Sequence, residues 1–98
     1  MFTIQRTDTF IKWISRLKDR RAVARISIRI DRLADGNPGQ VGDVGEGVSE
    51  LKIDYGPGYR VYYVRRGSVT MLLLCGGDKS TQSKDIAEAR RLAKEWKE

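Results

Sequence analysis

Gly47-Val48-Ser49-Glu50-Leu51-Lys52-Ile53, then Gly56-Pro57-Gly58-Tyr59-Arg60-Val61-Tyr62-Tyr63, then Leu72-Leu73-Leu74-Cys75-Gly76-Gly77-Asp78-Lys79 decide the fold of this chain. Each run is rich in β-branched, aromatic or apolar residues and reads as a strand. Val48 to Ile53 is one strand and Tyr59 to Arg65 the next, joined by a turn at 54–58. Arg66-Gly67-Ser68 closes a hairpin onto Val69 to Cys75. Met71 to Leu74 has no polar interruption, so that strand is expected to be central and covered on both faces. Gly76-Gly77 is expected to end it. Each strand run also delivers a cation: Lys52, Arg60 and Lys79.

Helices flank these strands. Phe2 and Ile4 alternate with Thr3 and Gln5, a short first strand. Thr7 can cap a helix beginning near Asp8, whose apolar stripe is Phe10, Trp13, Ile14 and Leu17. A break near Lys18-Asp19 allows a second helix with Val23, Ile26, Ile30 and Leu33 on one face. The Gly36-Asn37-Pro38-Gly39 stretch stops it, and the two helices should form an αα-hairpin. Residues 36–47 hold five of the ten glycines and no aromatic, and read as a loop. A last helix is expected from about Asp85 to Trp96, with Asp85 and Glu88 spaced for a capping box and Ile86, Ala89, Ala93 and Trp96 on its buried side. The order is β-α-α-β-β-β-α, an α+β pattern: a small, mainly antiparallel sheet with a helical hairpin on one face and the other face at least partly open.

Ninety-eight residues make a single domain, 1–98, which buries roughly 65% of the unfolded chain's surface. The net charge is +6 and the pI near 9.8, which favours nucleic acid, ribosome or an acidic protein as partner. Cys75 is the only cysteine, so no internal disulfide forms, and it reads as a small core residue of a protein in a reducing cytoplasm. There is no histidine, which excludes Ser/His and Cys/His dyads and His-based metal sites; one cysteine excludes a zinc knuckle. No metal ion or cofactor is called for. No apolar run reaches the roughly 18 residues of a membrane span, and the N-terminus has no secretory h-region.

The positive excess lies in two places. Residues 1–35 carry nine cations and four anions, and residues 52–84 carry six and two. On the second helix, Arg21, Arg25, Arg29 and Arg32 fall within an arc of roughly 80° opposite the apolar face. This is either the solvated side of an amphipathic helix or a docking stripe for RNA phosphates. Ile28 lies in or beside the stripe, an ordinary exposed side chain or a partner's contact. On the strands, if Leu51, Ile53, Val61 and Tyr63 point to the core, then Glu50, Lys52, Arg60 and Tyr62 share the other face, with Lys79 at its edge. Lys52, Arg60, Tyr62 and Lys79 are either scattered surface groups or one concave patch. Neither Gly56-Pro57-Gly58 nor Gly76-Gly77 matches a phosphate-cradling G-x-x-x-x-G-K-[ST] loop.

Such a patch has a chemistry available to it. Cutting RNA without a metal needs a group to take the 2′-hydroxyl proton, one to stabilise the phosphorane charge and one to protonate the leaving 5′-oxygen. In a chain without histidine, lysine and arginine carry most of this. A lysine serves as base only where neighbouring cations lower its pKa. An arginine fork matches phosphate geometry, which suits Arg60 to a phosphate clamp. Tyr62 is placed to stack on a base or donate a proton.

These strings resemble the addiction-module killer proteins, HigB-like members of the RelE/ParE toxin superfamily. The resemblance extends through Ser80-Thr81-Gln82-Ser83-Lys84-Asp85-Ile86, Thr7 to Trp13, and Asp31-Arg32-Leu33 with Gly36-Asn37, and so spans nearly the whole chain. It implies a toxin encoded beside an antitoxin with a helix-turn-helix domain, DNA being reached only through that complex. It further implies an mRNA endoribonuclease acting on the ribosome and arresting growth. Carried over, Lys52 matches a second-strand cation that serves as base or charge stabiliser. Arg60 matches the third-strand arginine on the scissile phosphate, and Lys79 lies near the basic residue after the fourth strand. Lys84, with Arg21, Arg25, Arg29, Arg32 and Tyr62, is the candidate RNA-binding set. RelE-like cutters often carry a tyrosine or histidine near the last helix; here Gln82, Lys84 and Trp96 stand there, which leaves the general acid unassigned. ParE-like relatives poison DNA gyrase instead, so a gyrase-directed toxin and a non-toxic basic binding module stand beside the nuclease as expectations.

Overall fold

The structure, a computed structural model, describes residues 1–96. Its elements are β1 (Thr3–Arg6), α1 (Asp8–Arg16), α2 (Arg20–Ala34), β2 (Val41–Gly45), β3 (Val48–Ile53), β4 (Tyr59–Arg66), β5 (Thr70–Asp78), a single 3₁₀ turn (Lys79–Thr81) and α3 (Gln82–Glu95). The fold is α+β, with one five-stranded mixed sheet ordered β1-β5-β4-β3-β2. Only β1 runs parallel to its neighbour β5; the other pairings are antiparallel.

Local chemistry sets the helix starts. Thr7 caps α1: its Oγ1 accepts from the Phe10 N–H at 3.0 Å. Asp19 caps α2, accepting from the Arg21 and Ala22 N–H groups. The α1–α2 hairpin packs on one sheet face. Phe10, Ala22, Ile26, Ile30 and Leu33 meet Leu51, Ile53, Val61, Tyr63 and Leu73 there, as the strand alternation requires, but Ala22 takes the place in the second helical stripe that the spacing gives to Val23, which is only half-buried.

The opposite face is open only in part, at the end of the sheet that holds Lys52 and Arg60. It is largely covered, because α3 lies across it. Val48, Tyr62, Val64, Leu72, Leu74, Cys75 and Ala89 form a second core, with Ile86, Leu92, Ala93 and Trp96 packed against it. Three further differences have local causes. Residues 41–45, expected as loop, form the edge strand β2, because pairing with β3 satisfies backbone groups that the sparse side chains say nothing about. The element order is therefore β-α-α-β-β-β-β-α. Gly76-Gly77 do not end β5, which runs on to Asp78. And α3 begins at Gln82, so Asp85 and Glu88 form no capping box. Asp78 caps the 3₁₀ turn by accepting from the Ser80 N–H at 2.8 Å, and the Asp85 carboxylate accepts from Thr81 Oγ1 at 2.5 Å.

One irregularity places the site. The β4–β5 register slips between Tyr62, opposite Cys75, and Tyr63, opposite Leu73. Leu74 is the extra residue, so Leu74 and Cys75 both serve the second core. Thr7 Oγ1 donates to the Leu74 carbonyl at 2.5 Å, which satisfies the bulge. Beyond it the alternation has changed phase, and Gly77 pairs with Arg60. Gly77 has no side chain because Asp85 stands over it: an added Cβ would lie 1.8 Å from Asp85 Oδ2.

Candidate functional site

Past the end of α3's cover, the second face of the sheet opens into a hollow of about 210 Å³ lined by Gln40, Lys52, Asp54, Gly58, Arg60 and Lys79. The three cations read from three separate strand runs thus converge. Lys52 and Arg60 are register partners on β3 and β4. Lys79 follows β5, and its backbone N–H donates to the Gly58 carbonyl at 3.1 Å. Gly58 adopts φ +82°, and a Cβ there would fall 2.8 Å from Lys79 Cε. Glycine at this turn therefore lets the Lys79 chain lie against the loop and bring its ammonium to the rim.

Arg60 is the deepest of the three, only 8% exposed. Its Nη1 donates to the Tyr59 carbonyl at 3.0 Å and reaches the Gly58 carbonyl at 3.4 Å. Its Nε is buried with no hydrogen-bond partner among the described residues. Glu50, 5% exposed, stands behind it, with Oε2 3.9 Å from that Nε. Gln82, the first residue of α3, donates through Nε2 to both Glu50 oxygens, at 3.1 and 3.4 Å. The buried guanidinium, held by two carbonyls, shares this lining with Lys52 and Lys79 against the single carboxylate of Asp54, which leaves the hollow cationic and chemically able to take an oxyanion. Sequence reasoning missed Glu50 and Gln82 as parts of this site. Period-two alternation had placed Glu50 beside Lys52, and that was the available signal.

The remaining candidates are not in the hollow. Tyr62 is fully buried beneath α3 and cannot stack on a base. Its hydroxyl has no hydrogen-bond partner among the described residues, and burial first, then the Glu50 and Asp85 charges, hold its pKa well above the ordinary phenol value. Arg29 is not a free phosphate ligand either. Its Nη1 donates to the Lys52 carbonyl and its Nη2 to those of Pro38 and Gln40, at 2.8 and 2.9 Å. It fastens α2 to the backbone of two residues that line the hollow, so its role is structural. Lys84 is exposed on α3 and does not line the hollow. Arg21, Arg25 and Arg32 are exposed on α2, over the hairpin side of the sheet.

Cys75 is a core residue. Its Sγ–H points to the Asp85 carbonyl at 3.5 Å, and burial, followed by the Asp85 and Glu88 charges, pushes the thiol up to about 12. The raised value keeps it a protonated thiol at pH 8, and the thiolate is the reactive form. The folded protein is expected to give no reaction with Ellman's reagent at pH 8, and one thiol after unfolding in guanidinium. A fast native reaction would mean that α3 does not cover this face.

Among the described residues no helix is long and apolar enough to cross a membrane. No protein-family model matches the chain. Over 92 residues it is 53% identical to an uncharacterized protein of Haemophilus influenzae, covering 94% of this chain and 93% of that one. With that identity over nearly the full length of both, the chain belongs to the same family as the Haemophilus influenzae protein.

Proposed function

We propose that this protein is the toxin of a type II toxin-antitoxin module, of RelE/ParE-like topology, and that it cleaves mRNA on the ribosome without a metal ion. The observation that carries the reading is the meeting of Lys52, Arg60 and Lys79 around one hollow. A basic domain with no such task has no need to bury an arginine at the meeting point of two other cations, since burying charge is costly.

In this reading the scissile phosphate enters the hollow and pairs with the charge of the Arg60 guanidinium in its wall. As the 2′-hydroxyl attacks, charge grows on the phosphorane oxygens. Arg60 and the two lysines stabilise it there, where they are already held in position. Lys52 takes the attacking proton or balances charge; the bond from phosphorus to the 5′-oxygen breaks, leaving a 2′,3′-cyclic phosphate, and the departing 5′-oxygen takes its proton from the Lys79 ammonium or from solvent. Tyr62 has no part in the step. A cognate antitoxin with a helix-turn-helix domain neutralises the toxin, and the module reaches DNA through that complex.

Primer extension on cellular mRNA after inducing this chain alone tests the reading. Discrete cuts in phase with the reading frame are expected within minutes of growth arrest. Intact mRNA together with accumulating double-strand DNA breaks would overturn it in favour of a gyrase-directed toxin, and unimpaired growth would overturn toxicity itself.

A further inference from the structure

The outward side of α2 is a second surface, which meets the hollow at Asp54. Arg21, Arg25, Ile28 and Arg32 are exposed along it, Ile28 by 50%. Arg25, Ile28, Arg29 and Arg32 line a groove of about 400 Å³ with Ile53 and Asp54. The lining thus mixes two isoleucines with three arginines and one aspartate.

Three features decide what such a groove fits. Arg29 is committed to backbone carbonyls, so the stripe offers phosphates a broken row. Arg25 lies 4.8 Å from the centre of the Tyr55 ring, and Tyr55 is itself held by donating to Asp19 Oδ2 at 3.0 Å. That cation is fixed before any ligand arrives, which lowers the entropy cost of pairing. Ile28 is half exposed among these arginines, and a row of phosphates would leave it uncovered; only an apolar side chain gains by burying it.

We propose that this face docks an acidic segment of a partner protein, with carboxylates on Arg21, Arg25 and Arg32 and an aliphatic side chain over Ile28. Apolar side chains set among charged ones are the usual anatomy of a protein interface. The chain's net charge of +6 would speed the approach of an acidic partner. The inference does not depend on the chemistry of the hollow.

The isotope-labelled full chain, titrated at fixed salt and followed by amide resonances, tests it with three probes. These are a short peptide of repeating Glu-Leu-Asp-Glu, polyglutamate of equal length, and an oligouridylate. The leucine-bearing peptide is expected to shift the amides of Arg25, Ile28 and Arg32 and to bind about tenfold tighter than polyglutamate. The substitution Ile28→Ala, at a half-exposed position that the fold tolerates, should erase that advantage and leave the melting temperature in place. Equal binding of the two peptides would reduce the surface to a plain cation patch and overturn the proposal. So would displacement of the peptide from these amides by oligouridylate, which would make the face a nucleic-acid interface, and so would no shift with any probe.

Discussion

Replacing Arg60 with alanine is expected to relieve growth arrest on induction and to slow RNA cleavage by about 10²- to 10³-fold, the usual cost of removing one fixed donor from a developing charge. The variant must be read with care, because Arg60 is buried against Glu50. Removing the guanidinium leaves that carboxylate with Gln82 as its remaining partner, which costs on the order of 2 kcal/mol of stability. Lost activity alone could then reflect lost fold. Adding Glu50→Gln removes the stranded charge and is expected to return the melting temperature toward that of the parent. Activity should stay absent, since nothing restores the phosphate clamp. A double variant that melts like the parent and still arrests growth would show that the hollow is not where the chemistry happens. A substitution to lysine at this position keeps the charge but not the fork that engages two carbonyls, so it should fall between the two in rate.

How far the sequence disclosed this site depends on which residue is considered. Lys52 and Arg60 could be placed on one face because β3 and β4 have strict alternation, and the structure pairs them as neighbours. Tyr62 shows where that reasoning stops. Alternation assigns a residue to a face but does not say whether the face is covered, and α3 covers this one. The stripe of Ile86, Ala89, Ala93 and Trp96 told that α3 buries a side, not against what. Strand β2 escaped notice because Val41-Gly42-Asp43-Val44-Gly45 has little intrinsic strand preference; its pairing with β3 makes it a strand. The end of β5 was misread for a different reason. Glycines commonly stop strands, but Gly76 and Gly77 are there because Trp13 and Asp85 press on the backbone, which no local pattern reveals. Arg29 fitted the arginine stripe by spacing alone, while its three carbonyl partners come from distant parts of the chain.

Gly76 is where the hairpin and the sheet come closest, and Gly76→Ala is expected to destabilise the protein by about 2–3 kcal/mol, a fall in melting temperature of roughly 10–20 °C. A Cβ at this position would lie 2.4 Å from both Cε3 and Cζ3 of Trp13, and 2.7 Å from its Cδ2. The indole must move by about 1 Å to reach ordinary contact distance. It cannot do so freely, because its ring packs against Phe10 at 5.8 Å between centroids and edge-on to Tyr59 at 6.3 Å. The strain therefore passes into α1. The cap of that helix, Thr7, also holds the Leu74 carbonyl at the β5 bulge, and the bulge sets the phase in which Gly77 faces Arg60. Activity should accordingly decline along with stability, although Gly76 does not line the hollow. Trimming the ring, as Trp13→Leu in the Gly76→Ala background, should recover part of the loss, and the double-mutant cycle should give a favourable coupling of about 1 kcal/mol. A Gly76→Ala protein that melts within about 2 °C of the parent would mean that the indole does not rest on β5. The link from α1 through the bulge to Arg60 would then have no mechanical basis.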